Sequence, residues 1–463
     1  MRFTLLALLA LAPAATGLAQ EPAWKAAVDS VFLPLDRTGS PGCALGVVQR
    51  GELVYAKGYG MANLEHGVPI TPETAFYIAS TSKQFTAAAV SQLASDGKLD
   101  LDGSIRRWIP ELPDWADSIT PRQLVHHTSG IRDYLSLWSL SGRGFYDAIP
   151  LEEALALIAR QKATNFPPGT RHLYSNSGYL LLAVLVERVS GQPLSRYTAE
   201  RFFIPAGMTN TRFRDNRWLA IPNRADGHSR SSSGWQVFRT SFDLVGDGGL
   251  VTTVSDLARW ERWFWEDPAR ATFRARVLER GKLKPDSTIS YAFGLTHGEY
   301  RGQPTIAHGG AFLGFLAERI RFPEQQTAIV ILCNTFTGNP SEWARRIADA
   351  VLGPVLKPVV ATAASAPQQP APAWQADRSV WPTLIGRYAS EELDAIYTVA
   401  EDSGQLVARV RQVRLQLVPS APDSFRMQGS RLVFTRDGKR RVTGLVISEG
   451  RANGIRFERL REP

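Results

Sequence analysis

The chain has 463 residues, 44% hydrophobic and 21% charged, a balance that excludes wholesale disorder and suits one large domain with a smaller one. Its formal charge of +9 would favour anionic polymers or lipid surfaces, but no Lys/Arg block or aromatic-basic platform points to nucleic acid, and a solvated basic surface accounts for it. The two cysteines have no histidine partner at ligand spacing, which excludes a zinc site built on them.

Residues 1–19 carry Arg2, an apolar core over 5–11 and then Gly17-Leu18-Ala19, the pattern of a signal peptide cut near Ala19. The core is too short to span a bilayer, so the expected product is secreted or periplasmic with no stable membrane anchor. Residues 24–33 read as a helix, and 43–48 with 53–56 as a strand hairpin around Gly51. Cys43 and Cys333 both sit in apolar, strand-like runs, where one bridge and two buried free thiols are both open.

Ser80-Thr81-Ser82-Lys83 opens a helical period, Phe85, Ala88, Ala89, Gln92 and Leu93, with Thr81 or a neighbouring hydroxyl expected as its cap. Positions three apart share a helix face, so Ser80 and Lys83 can present a hydroxyl and an amine to one point. Two fixed residues in four positions recur by chance about once or twice in such a chain. Ser95-Asp96-Gly97-Lys98 is such a copy, but it falls on a C-cap and turn and reads as solvated loop.

The middle of the chain reads as helical. His126 and His127 stand beside a Gly130 turn, where hydrogen-bonding a loop is the commoner use of histidine and direct chemistry the alternative. After a turn at 166–170 come Tyr174 and Asn176, two apart before the apolar helix 180–189. A tyrosine with its pKa lowered by cations can serve as a base, and an asparagine can hold a substrate amide. Residues 212–242 are too irregular for an element and read as surface loops; 246–249 is a flexible glycine turn, and Ser255 is the expected N-cap of a helix to Trp265. His308-Gly309-Gly310 precedes two strands, 314–322 and 327–333, and its glycines would let a substrate backbone lie close. Strands at both ends of a helical middle predict an α/β (α+β) domain with one antiparallel sheet assembled from the two ends.

Taken in order, Ser80-x-x-Lys83, Tyr174-x-Asn176 and His308-Gly309-Gly310 resemble the three stations of the serine β-lactamase and penicillin-recognising hydrolase superfamily. The likeness is to the branch holding class C β-lactamases, DD-carboxypeptidases, D-aminopeptidases and related esterases, over roughly residues 25–353. It implies Ser80 as the acylated nucleophile, Lys83 and Tyr174 sharing its proton, and Asn176, His308, Gly309 and Gly310 as the substrate-holding wall. The backbone N–H groups of Ser80 and Ala311 would form the oxyanion hole. No cofactor or metal is implied, and the expected partner is a small peptide, amide or ester. β-Lactamases of this superfamily usually have Lys-Thr-Gly at the third station; a mostly neutral His308 is a weaker carboxylate anchor, so peptide, D-amino-acid amide or ester hydrolysis outranks a class C-like β-lactamase. A penicillin-binding sensor that acylates without turnover is the other class of function left open.

Beyond the hydrolase domain, placed at 20–354, residues 355–376 are rich in Ala, Pro and Gln and read as a linker. Residues 377–463 alternate apolar and polar in short runs between turns, as in a small antiparallel β-domain for which a barrel is one closure. That domain offers no catalytic constellation, and its expected part is to pack on the hydrolase or shape the cleft mouth.

Overall fold

The computed structural model describes Pro22, residues 24–145, 148–238, 241–358, Trp374 and residues 377–461. The leader and most of the linker lie outside these. Six antiparallel strands form the central sheet in the order Thr296–Tyr300, Gln303–Phe312, Phe315–Phe322, Thr327–Cys333, Cys43–Gln49, Glu52–Tyr59. The two ends of the domain therefore meet at its middle, as predicted. Leu45, Val47, Ile329 and Ile331 pack on the helices Trp24–Phe32 and Pro340–Leu352, while Ala44, Val330 and Leu332 face the helical subdomain. A strand buried on both faces must be apolar at every position, which is why 327–333 reads as a continuous apolar run rather than an alternation.

Cys43 lies opposite Cys333 in the register of these two central strands, and their sulfurs are bonded. The choice between bridge and free thiols is thus decided by strand pairing across 290 residues of sequence. The helix Lys83–Ser95 is buried on nearly every side and packs against Asn176–Ser190. Its alanines allow that close approach.

Several local expectations are corrected. A 3-10 turn, Ala79–Ser82, precedes the Lys83 helix, and no hydroxyl caps it: Thr81 Oγ1 donates to His308 O and Ser82 Oγ to Ala79 O. The cap of Val254–Glu261 is Thr253, whose side chain accepts from Asp256 N, not Ser255. Residues 212–242 are not all loop; they include the hairpin Gly227–Ser231 and Gly234–Phe238. Their pattern was unreadable because short strands with Ser and Arg in them carry little apolar period.

The C-terminal residues form one nine-stranded antiparallel sheet, whose edge strands are Val413–Gln416 and Val418–Ala421. Only Leu417 separates those edges in the chain, so the sheet must curl almost onto itself, barrel-like, around Tyr397, Val399, Leu406, Leu432, Leu445, Ile455 and Phe457. Its hairpin Val442–Glu449 and Ala452–Arg459 turns over the catalytic unit.

Candidate active site

Ser80 sits in the 3-10 turn one residue after Ala79, whose φ of 46° is left-handed. A side chain there costs about 1 kcal/mol, a local strain that aims the serine out of the helix end. The turn is held from the third station. A methyl group built on Gly310 would lie 2.3 Å from Ile78 O and 3.1 Å from Ser80 N, so only glycine lets the strand approach the Ser80 turn so closely. The closest approach at Gly310 is thus by the enzyme's own turn, whereas the expectation was a substrate backbone.

Lys83 is fully buried, and its Nζ donates to Ser80 Oγ (3.1 Å), Asn176 Oδ1 (2.9 Å) and the Asp247 carbonyl (2.5 Å). Burial pushes its pKa down, opposed by the nearby carboxylates of Asp247 and Asp133. Tyr174 lies with its ring 4.8 Å from that ammonium. Burial pushes its phenol far up, against the pull of the Ser80 hydroxyl, and among the described residues its buried oxygen has no hydrogen-bond partner. Of the two groups expected to share the serine proton, Lys83 is thus the better acceptor and Tyr174 the one that stays protonated. Asn176 begins its helix; its N–H donates to Asp133 Oδ2 at 2.6 Å, which fixes the amide that Lys83 contacts.

His308 is buried and neutral. Nδ1 lies 2.6 Å from Gly309 O, which can only accept, so the proton is on Nδ1 and Nε2 accepts from the Tyr291 hydroxyl at 2.9 Å. Burial and the Lys83 charge push its pKa down to about 4. With both ring nitrogens occupied, it stiffens the wall and offers a substrate carboxylate no donor. His126 and His127 hold loops, as the commoner reading had it: His126 Nε2 meets Glu279 O, and His127 Nδ1 accepts from Ser175 N.

These histidines tie stability to pH. Burial holds His126 and His308 near pKa 4, and His127 well below its ordinary value. The unfolded chain therefore takes up their protons first, near pH 6.5, and stability is lost as pH falls from 6.5 towards 4. The expected loss is roughly 2–3 kcal/mol for each of the first two, read by urea denaturation at pH 7 and pH 4.5.

Ser80, Tyr174, Asn176, His308, Gly309, Gly310 and Ala311 all line one open cleft of about 520 Å³, and Lys83 supports it from beneath. Three charged residues on its wall were not singled out from sequence: Asp247, Arg451 and Glu318, the last on the strand Phe315–Phe322 with its carboxylate accepting from the Ser341 hydroxyl. Asp247 comes from the glycine turn, whose composition signalled only flexibility. Arg451 comes from the C-terminal domain, at the turn between the hairpin strands, and its guanidinium lies 4.7 Å over the Tyr174 ring. Its carbonyl accepts from Asp133 N (3.1 Å) and Asn165 Nδ2 (2.9 Å). Among the described residues that line the cleft, the arginine is Arg451, 143 positions beyond the third-station residue.

Residues 26–353 match the Beta-lactamase family model. The chain is 31% identical over 326 residues to a D-aminopeptidase of Brucella canis, an alignment covering 70% of this chain and 62% of that protein. It thus spans about three fifths of the length of that relative. In fold it is similar to the octameric penicillin-binding protein homologue from Pyrococcus abyssi (TM-score 0.62, 22% identity, 94% of this chain and 98% of that one). It is likewise similar to the D-amino acid amidase from Ochrobactrum anthropi SV3 complexed with L-phenylalanine amide (TM-score 0.60, 22% identity, 72% and 99%). With the three stations gathered on one cleft and the family model running through all of them, the chain belongs to the Beta-lactamase family.

Proposed function

We propose that this chain is an exported serine hydrolase that forms an acyl-enzyme at Ser80 from D-amino-acid amides or peptides. The observation that carries this reading is the buried Lys83, bonded at once to Ser80 Oγ and Asn176 Oδ1 and pushed towards its neutral form. In the proposed cycle neutral Lys83 takes the Ser80 proton as Oγ bonds to the carbonyl carbon, and the backbone N–H groups of Ser80 and Ala311 receive the oxyanion. The C–N bond then breaks as the Tyr174 hydroxyl passes a proton to the leaving amine, which Lys83 restores. Water, deprotonated by the same pair, releases the acid and frees Ser80. Export rests on the leader pattern of residues 1–19.

The D-aminopeptidase and D-amino acid amidase relatives support the amide and peptide substrate class. The occupied imidazole of His308 weighs against β-lactam turnover through the usual third-station cation. Kinetics on D-aminoacyl amides, acyl-D-Ala-D-Ala peptides, short esters and a chromogenic cephalosporin test the reading. The highest kcat/KM is expected on D-aminoacyl amides, and a preference for the cephalosporin, or labelling by it without turnover, would overturn it.

Arg451 carries a separate expectation. A carboxylate on the leaving group would find its partner in that guanidinium, an interaction worth about 1.5–3 kcal/mol. Arg451→Ala is expected to raise KM about tenfold for dipeptides with a free C-terminal carboxylate, and markedly less for the matching amides. Steady-state comparison of the two substrate types checks this.

A further inference from the structure

The turn at residues 246–249 is built around one carboxylate. A methyl group on Gly246 would lie 2.4 Å from Tyr179 O, and one on Gly248 2.7 Å from the Tyr77 hydroxyl, so both positions require glycine. Thr86 Oγ1 donates to Gly246 O, Gly249 N–H donates to Tyr77 Oη, and Leu250 N–H donates to Ser82 Oγ. The turn is thereby fastened to the Ser80 segment and its helix. What it presents to the cleft is Asp247, which is only 8% exposed and lines the same wall as Ser80.

A buried carboxylate is costly, by several kcal/mol, unless something cationic repays it. Lys83 is the obvious candidate, yet an ammonium has three donors and those of Lys83 are already directed at Ser80 Oγ, Asn176 Oδ1 and the Asp247 backbone carbonyl. The Asp247 side chain instead accepts from the Tyr134 hydroxyl on Oδ2 at 3.1 Å, with its own backbone N–H also acting on it. Among the described residues no ion pair within 4.0 Å reaches it. Burial pushes its pKa up to about 6, Lys83 favours its charge and Asp133 opposes it. The residue thus keeps acceptor capacity at the cleft, where its backbone carbonyl and Ser80 Oγ both accept from Lys83 Nζ. In an aminoacyl substrate the α-nitrogen is about 2.5 Å from the carbonyl carbon under attack, two bonds away.

We propose that Asp247 anchors a free α-ammonium on the acyl half of the substrate, so that this enzyme selects unblocked aminoacyl amides and peptides over N-acylated ones. The assignment rests on the Ser80 acyl-transfer reading and narrows its substrate class.

The test uses the full chain, as wild type, Asp247→Asn and Asp247→Ala, with D-alanine p-nitroanilide and its N-acetyl derivative. Asn preserves volume and the bond from Tyr134. Wild type is expected to prefer the free amine, and both variants to lower that preference about thirtyfold, chiefly through KM. Equal losses on the two substrates would mean that Asp247 serves Lys83 and would overturn the proposal, as would an unchanged preference. A second measurement needs no turnover: D-alaninamide should protect Ser80 from a fluorophosphonate in wild type, N-acetyl-D-alaninamide much less, and the difference should vanish in Asp247→Asn. Labelling of wild type without selective protection would remove the Asp247 assignment and leave the nucleophile standing. Failure of wild type to label at Ser80 would remove both.

Discussion

Ser80→Ala is expected to abolish fluorophosphonate labelling and to lower kcat on the best substrate by about 10⁴ to 10⁶, since the covalent intermediate can no longer form. Lys83→Ala should lose nearly as much, because the two act as one unit and their losses do not add. The geometry makes the comparison specific. Lys83 Nζ touches Ser80 Oγ, but it also holds Asn176 and the Asp247 carbonyl, so its removal also loosens the wall that would seat the substrate. Circular dichroism on Ser80→Ala should be unchanged, because that side chain ends in the cleft and only its Oγ is lost. Labelling that survives in Ser80→Ala would place the nucleophile elsewhere. Ser95, the other serine in a matching pattern, is exposed at the end of its helix with its Oγ bonded to Ser91 O, and is not expected to label.

Glu392→Ala is expected to destabilise the protein by about 3–5 kcal/mol, read as a lower urea midpoint, because it strands a buried charge. Glu392 is in the C-terminal domain. Its Oε1 accepts from Arg132 Nη1 at 2.5 Å and from Lys162 N at 2.8 Å, with the Arg132 and Glu392 side chains 4% and 7% exposed. Replacing both partners by methionine should recover most of the loss, since an apolar pair of similar volume leaves nothing unpaired. The effect should also reach activity. Asp133, next to Arg132, receives the Asn176 N–H on its carboxylate and donates its own N–H to Arg451 O, so a displaced Arg132 shifts both walls of the cleft. A fall in kcat/KM of Glu392→Ala at temperatures well below its unfolding transition would register that coupling, and the methionine pair should restore it.

Much of the site was legible because the chemistry it needs is local. Ser80 and Lys83 are one helical turn apart, and Tyr174 and Asn176 flank a helix start. Gly310 of the third station is forced by contact with the Ser80 turn. The central sheet was legible too, since strands buried on both faces must be apolar throughout. What failed was weakly patterned or settled by partners. The expected hydroxyl cap gave way because a 3-10 turn already continues into the Lys83 helix, leaving Thr81 free to bond His308 O. The hairpin in 212–242 was hidden by its polar composition.

By itself the sequence determined the order of the three stations, the central sheet and the alternating C-terminal strands, because helix spacing and strand period are properties of adjacent residues. Only the tertiary structure decided the charges around Ser80. Tyr291 and Gly309 saturate His308, Asp247 is buried in the wall, Arg451 arrives from another domain, and Cys43 meets Cys333 through strand register. Each of these depends on desolvation and on hydrogen-bond partners brought from distant parts of the chain, and no local pattern encodes such neighbours.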